Sequence, residues 1–191
     1  LSGVNFFQEV IPMNKQTRKL TTVGMLCAIA YIAAALVRIP LVLFLKYEPK
    51  DVIITIGGLL FGPLTSFVIT LLVSFVQMLT ISGTGPLGFL MNVLSSCSFA
   101  CPAALIYRKK HNFSGLACGL LCGCLMMAVM MLLWNYFIAP VYMGMPREEV
   151  AKLLLPAFLP FNIMKGGLNA VITMLLYKPI FLPLRRYQLR E

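Results

Sequence analysis

The side chains in this sequence best suited to binding something sit where they are least expected. The stretch FLPFNIMKGGLNAVITMLLYKP, residues 158–179, is apolar and long enough to cross a bilayer, yet it carries Asn162, Lys165 and Asn169. A lysine at the centre of a lipid-facing helix costs ~3 kcal/mol on insertion scales, so such a residue faces protein, water or a ligand. At 100° per residue, Asn162, Lys165, Asn169 and Thr173 fall within a sector of roughly 80°, a single polar stripe. Gly166 and Gly167 beside it lack side-chain bulk, which lets a flat ligand or a second helix lie against the backbone.

An amide offers donors and an acceptor, whereas an ammonium offers donors only. Asn162 and Lys165, with Asn135 level with them on the preceding helix, therefore suit a neutral planar heterocycle with alternating donors and acceptors. One cation serves a phosphate poorly. The plainer alternatives are a structural polar cluster, or Lys165 snorkelling to the outer interface. Two further stripes, Thr70, Ser74 and Gln77, and Asn92, Ser95 and Ser96, read as ordinary interhelical hydrogen bonding. Asn92, Gly166 and Asn169 are kept as further lining candidates.

A catalytic set is not visible. The sole histidine, His111, falls in a loop, the helices hold no carboxylate pair at depth, and there is no GxxxxGK loop. Neither hydrolysis nor ATP-driven work is assigned to this chain, and no cofactor. Cys97 with Cys101, and Cys118 with Cys122, share helix faces at a spacing that permits metal binding. Small residues are common in tightly packed membrane helices, so packing is preferred and no metal site is assigned.

The elements that must position these residues follow from composition. Of 191 residues 60% are hydrophobic and 12% charged, and the mean hydropathy is +0.89, which reads as an all-α integral membrane protein. Spans are predicted at about 20–37, 64–82, 87–107, 115–139 and 158–177, with a short sixth helix at 52–61 that must be tilted, extended or shielded. Residues 15–191 form one six-helix domain, and residues 1–14 read as a cytoplasmic leader. The first apolar run resembles a signal peptide but is read as a retained helix.

Ten of the sixteen Lys and Arg residues, in the segments 15–19, 108–110 and 178–190, fall on the side of the termini. Positive-inside bias places both termini in the cytoplasm, and the net charge of +10 reflects topology and anionic-lipid attraction rather than nucleic acid.

The outer loop RIPLVLFLKYEPKD is apolar enough to be a flap over a pocket, with Pro49 in the first turn of the short helix and Asp51 at its positive end. Gly24 with Ala28, and Ala30 with Ala34, line small residues along the first helix, either for packing within the bundle or for docking another subunit. Gly115, Gly119 and Gly123 make a close-contact face, and Met126, Met127, Met130 and Met131 read as general packing. The segment 141–157 is read as a loop.

LKYEPKD at 45–51, GGLLFGP at 57–63, TGPLGFLMN at 84–92, LWNY at 133–136 and PFNIMKGGLNA at 160–170 together resemble the riboflavin-binding S components of energy-coupling factor (ECF) vitamin transporters. The resemblance covers residues 17 to 187 and implies a six-helix S-component fold in a bacterial cell membrane. It further implies riboflavin captured at the extracytoplasmic side and released inward with a T subunit and two ATPase subunits. By the resemblance, Asn135, Asn162 and Lys165 contact the flavin ring, and Leu45, Lys46, Tyr47 and Glu48 help close the site. Gly24, Ala28, Ala30 and Ala34 match the coupling surface. A bound isoalloxazine would then satisfy Lys165 and the asparagines, with flavin mononucleotide tolerated if its phosphate protrudes. An S component for another vitamin, a small membrane enzyme and a structural assembly subunit are the competing readings.

Overall fold

The computed structural model describes residues 15–42, 45–81, 83, 85–144 and 146–189, with 40–42, 45, 142, 143 and 186–189 described by backbone alone. The leader, 1–14, lies outside the described residues.

Among the described residues, five helical stretches are long and apolar enough to cross a membrane. They are built on α1 (Lys15–Leu36), α3 (Pro63–Thr80), α4 (Gly85–Lys109), α5 (Phe113–Met143) and α7 (Leu159–Leu176). The short sixth helix is α2, Lys50–Phe61. At 1.5 Å per residue it reaches only ~18 Å, and it is shielded by its neighbours: Val52, Ile54, Thr55, Ile56, Gly57, Gly58 and Leu59 are all buried. Gly58 permits this because a Cβ there would strike Ser66 of α3 and crowd Ala104 of α4.

Two parts of the chain depart from the expectations above. The apolar outer loop is a two-stranded antiparallel hairpin, β1 (Ile39–Val42) and β2 (Leu45–Tyr47), pairing Ile39 with Tyr47 and Pro40 with Lys46. Isoleucine, valine and tyrosine favour a pleated strand, and a two-stranded ribbon has the free edge that tolerates Pro40. The segment 141–157 is largely helical. α5 runs on to Met143 and ends where Gly144 turns left-handed at φ 65°. α6 (Arg147–Leu153) and a π-helical stretch (Leu154–Phe158) then lead straight into α7. Beyond α7 a second π-helical stretch, Tyr177–Phe181, carries the chain into α8, Leu182–Leu189.

The glycine face of α5 does what its spacing implies: a Cβ on Gly119 or Gly123 would meet the backbone of Ala103 or Phe99, so α4 and α5 approach almost backbone to backbone. At the end carrying the termini, the Tyr107 and Tyr177 hydroxyls lie 3.0 Å apart and Arg185 donates to Tyr107 at 3.1 Å, tying α8 to α4.

α1 corrects one expectation. Its two small-residue pairs are six positions apart, about 120° around the helix, so they cannot share a partner face. Ala30 packs with Leu26 against Ile54, Ile69, Val73 and Ala100, and Ala34 is fully buried too. Gly24 and Ala28 are exposed, as are Met25, Ile29 and Ile32, and a Cβ on Gly24 would meet nothing within 4 Å. Ala30→Leu should therefore overpack the bundle and cost ~1–3 kcal/mol, seen as a lower melting temperature in detergent, whereas Gly24→Leu should not lower it. Equal melting of both variants would place the two faces in the same environment.

Candidate ligand-binding site

The hairpin and the adjoining ends of four helices enclose a cavity of about 300 Å³, at the lower limit of small-molecule pockets, roughly 300–1,000 Å³. Arg38, Lys46 and Glu48 line it from the hairpin and its flanks, and Gln77 and Ile81 from the end of α3. α4 contributes Leu87, Met91, Asn92 and Ser95, and α5 contributes Met131 and Asn135. Phe158 of the π-helical stretch completes the wall with Phe161, Asn162 and Lys165 of α7.

Asn135 and Asn162 are held alike. Each donates Nδ2 to the carbonyl one turn back, Met131 and Phe158 respectively, both at 2.7 Å. An amide is planar, with two N–H donors and a carbonyl acceptor, so this bond orients its plane. Phe158 thus both lines the cavity and anchors Asn162.

Lys165 has a counter-charge inside the chain. Its Nζ lies 3.1 Å from Asp51 Oδ2 and donates to Ser95 Oγ at 3.0 Å. Asp51 is fully buried, and its carboxylate also accepts from Ser96 Oγ and, at 3.3 Å, from Asn169 Nδ2. The expectation that a ligand alone would satisfy Lys165 is corrected by this pair. Asp51 does sit in the first turn of α2, but its carboxylate reaches sideways to α4 and α7. An ammonium has three donors; two are occupied among the described residues, and Lys165 lines the cavity.

A second buried cation, Lys50, has the sequence position of an outer-loop charge and gives no sign of its burial in hydropathy or spacing. It donates to Gln77 Oε1 and, at 2.9 Å, to Asn92 Oδ1, and lies 3.1 Å from Glu48 Oε2. Gln77 Nε2 donates to the same Glu48 oxygen at 2.7 Å, and Arg38 Nε is 3.6 Å from Oε1. The available signal is three charges, Glu48, Lys50 and Asp51, crowded at the start of a helix too short to reach solvent at both ends.

The other predicted residues divide. Lys46 and Glu48 line the cavity, whereas Tyr47 between them points the opposite way, as strand alternation requires. Tyr47 is buried and donates to Asn169 Oδ1 at 2.9 Å. Burial, helped by the Asp51 carboxylate, pushes the Tyr47 hydroxyl up to about 12, which keeps it a donor. Asn169 supports the site from behind, and Gly166 abuts Cys124 and Met127 of α5, so its bareness serves a helix contact. The Leu45 side chain lies outside the described residues. Arg38, Gln77, Met131, Phe158 and Phe161 were not anticipated as lining; among them Met131 corrects the reading of the methionines as general packing.

The ion pair makes a prediction. Removing one partner strands a buried charge and typically costs ~3–5 kcal/mol, while replacing both by apolar groups is close to neutral. Asp51→Leu and Lys165→Met should each lower the melting temperature of the empty protein strongly, and the double variant should recover most of the loss. A double variant as unstable as the sum of the two would mean that the charges do not compensate each other.

The fold and site can be set beside known proteins. A family model described as ECF transporter, substrate-specific component, matches residues 18–177. A riboflavin transporter, RibU, of Staphylococcus aureus (strain TCH60) is 28% identical over 173 residues, covering 86% of this chain and 90% of that protein. The riboflavin transporter FmnP of Bacillus subtilis (strain 168) is 28% identical over 175 residues, covering 85% and 91%. A solved S component of a bacterial ECF transporter superposes with a TM-score of 0.76 at 28% identity, covering 90% of this chain and 99% of that one. ThiT from Listeria monocytogenes shares the fold at a TM-score of 0.66 and 12% identity, covering 87% and 97%. A multi-pass helical bundle, closed at one end by a hairpin over a polar-lined cavity and matched by the family's model along most of its length, belongs to the substrate-specific components of ECF transporters.

Proposed function

We propose that this chain captures riboflavin from the extracytoplasmic side of a bacterial membrane and delivers it inward when joined to an ECF T subunit and two ATPase subunits. Both termini then lie in the cytoplasm. The observation that carries this reading is the convergence of Asn135, Asn162 and Lys165 on one cavity, each oriented by a partner of its own. The pyrimidine edge of an isoalloxazine has an N–H between two carbonyls, a pattern that amides and an ammonium can pair. Phe158, Phe161, Met91, Met131 and Leu87 offer apolar surface for the rest of the ring system. The names of the Staphylococcus aureus and Bacillus subtilis relatives support the same ligand.

Flavin mononucleotide belongs to this reading as a second ligand. Arg38 and Lys46 also line the cavity, so a phosphate protruding toward the hairpin would meet cations outside the polar stripe of α7.

Titration of the detergent-purified protein with riboflavin should quench flavin fluorescence with nanomolar affinity, about −12 kcal/mol. Asn162→Ala or Asn135→Ala should weaken binding by ~1–3 kcal/mol by leaving a buried flavin group unpaired. Saturable binding of thiamin or biotin without riboflavin quenching would redirect the assignment to another vitamin, and unchanged curves for both variants would remove the asparagines from the site.

For coupling, the exposed Gly24 and Ala28 face of α1 is the proposed docking surface, since it lets another helix approach closely. Gly24→Leu with Ala28→Leu should spare riboflavin binding but abolish ATP-dependent uptake by the reconstituted complex. Uptake at the unmodified rate would place the T subunit elsewhere.

A further inference from the structure

Behind the cavity runs a line of hydrogen bonds that meets it only at Lys165. The Tyr47 hydroxyl donates to Asn169 Oδ1 at 2.9 Å, Asn169 Nδ2 donates to Asp51 Oδ2 at 3.3 Å, and Lys165 Nζ reaches that same oxygen at 3.1 Å. The line joins β2 to α7, α2 and back to α7. Neither Tyr47, Asn169 nor Asp51 lines the cavity, but each end of the line is attached to something that does. Lys46 and Glu48 flank Tyr47 and face the cavity, and Lys165 faces it directly.

We propose that Asp51 is a positioning residue that sets the aim of the Lys165 ammonium and, through Asn169 and Tyr47, the seating of the hairpin, so that the cation facing the ligand and the hairpin beside it are held by one network. The polarity of the line makes it directional. Asn169 can serve both neighbours only with Oδ1 toward the tyrosine hydroxyl and Nδ2 toward the carboxylate; the flipped amide would turn its carbonyl on an anion. The charge on Asp51 therefore fixes the amide, and the amide fixes the acceptor that Tyr47 needs. Ser96, on the other carboxylate oxygen, prevents the group from rotating away. A displacement of Lys165 toward a ligand acceptor must be answered at Asp51 Oδ2, where the bond from Asn169 is shared, and is thereby felt at the hairpin.

This rests on the flavin reading for the identity of the ligand only. The test uses the full chain and four proteins: unmodified, Tyr47→Phe, Asn169→Leu and the two changes combined. Two measurements are made, stopped-flow dissociation of riboflavin and amide hydrogen exchange of residues 39–47 without ligand. Each single variant should speed dissociation on the order of tenfold, a factor equivalent to ~1.4 kcal/mol, and should raise hairpin exchange. The combined variant should be no faster than the faster single one, because one line is cut twice. A merely structural role would lower the melting temperature yet leave the rates additive and the hairpin exchange unmoved, and either of these results overturns the proposal. Should Asn169→Leu fail to fold, Asn169→Ala, alone and combined with Tyr47→Phe, completes the same cycle, and additive rates or unmoved hairpin exchange overturn the proposal there too. If the unmodified protein does not bind riboflavin, the flavin reading falls while hairpin exchange in the variants still decides the coupling.

Discussion

Asp51 is an anion on which four separate elements depend. It lies in the first turn of α2 and is buried completely, where an uncompensated carboxylate would not be tolerated. The ammonium of α7, a hydroxyl of α4 and an amide that itself holds the hairpin supply the compensation. Helix α2 can be short and sunken among its neighbours because its charged first turn is neutralised from the side rather than by water. The same arrangement lets α7 carry a lysine that lipid would penalise.

A second charge cluster, Glu48 with Lys50, Gln77, Asn92 and Arg38, ties the base of the hairpin to α2, α3 and α4. Between the two clusters lies the cavity. Buried ion pairs are weak evidence of stability, because desolvation offsets much of the attraction. Their value here is geometric: they orient ammonium and amide groups around a space that the apolar side chains alone would have left without direction. Hydrogen bonds to fixed partners reduce the ordering a ligand must impose, which is the general advantage of a preorganised site.

Small residues serve three different purposes in this bundle. On α5 they let α4 approach, on α2 they let α3 and α4 approach, and on α1 one pair is internal while the other faces outward. Spacing alone identifies a helix face with little bulk. It does not say what lies against that face.

The sequence by itself determined the membrane class, the six helices, the polar stripe of α7 and the asparagines of the cavity, because hydropathy and a 3.6-residue period are local properties of the chain. Gly119 and Gly123 were legible for the same reason. What lay beyond it were relations between residues distant in sequence. Lys165 could be recognised as needing a partner, but Asp51 is more than a hundred positions away, and only the packing of α2 against α7 brings the carboxylate to it. Lys50 looked like an outer-loop charge until α3 and α4 closed over it. Tyr47 and its neighbours went to opposite sides because the loop became a strand, and its pairing is non-local. The side of α1 that meets the bundle was likewise decided by which neighbour filled the space, a choice made by volume and shape in three dimensions.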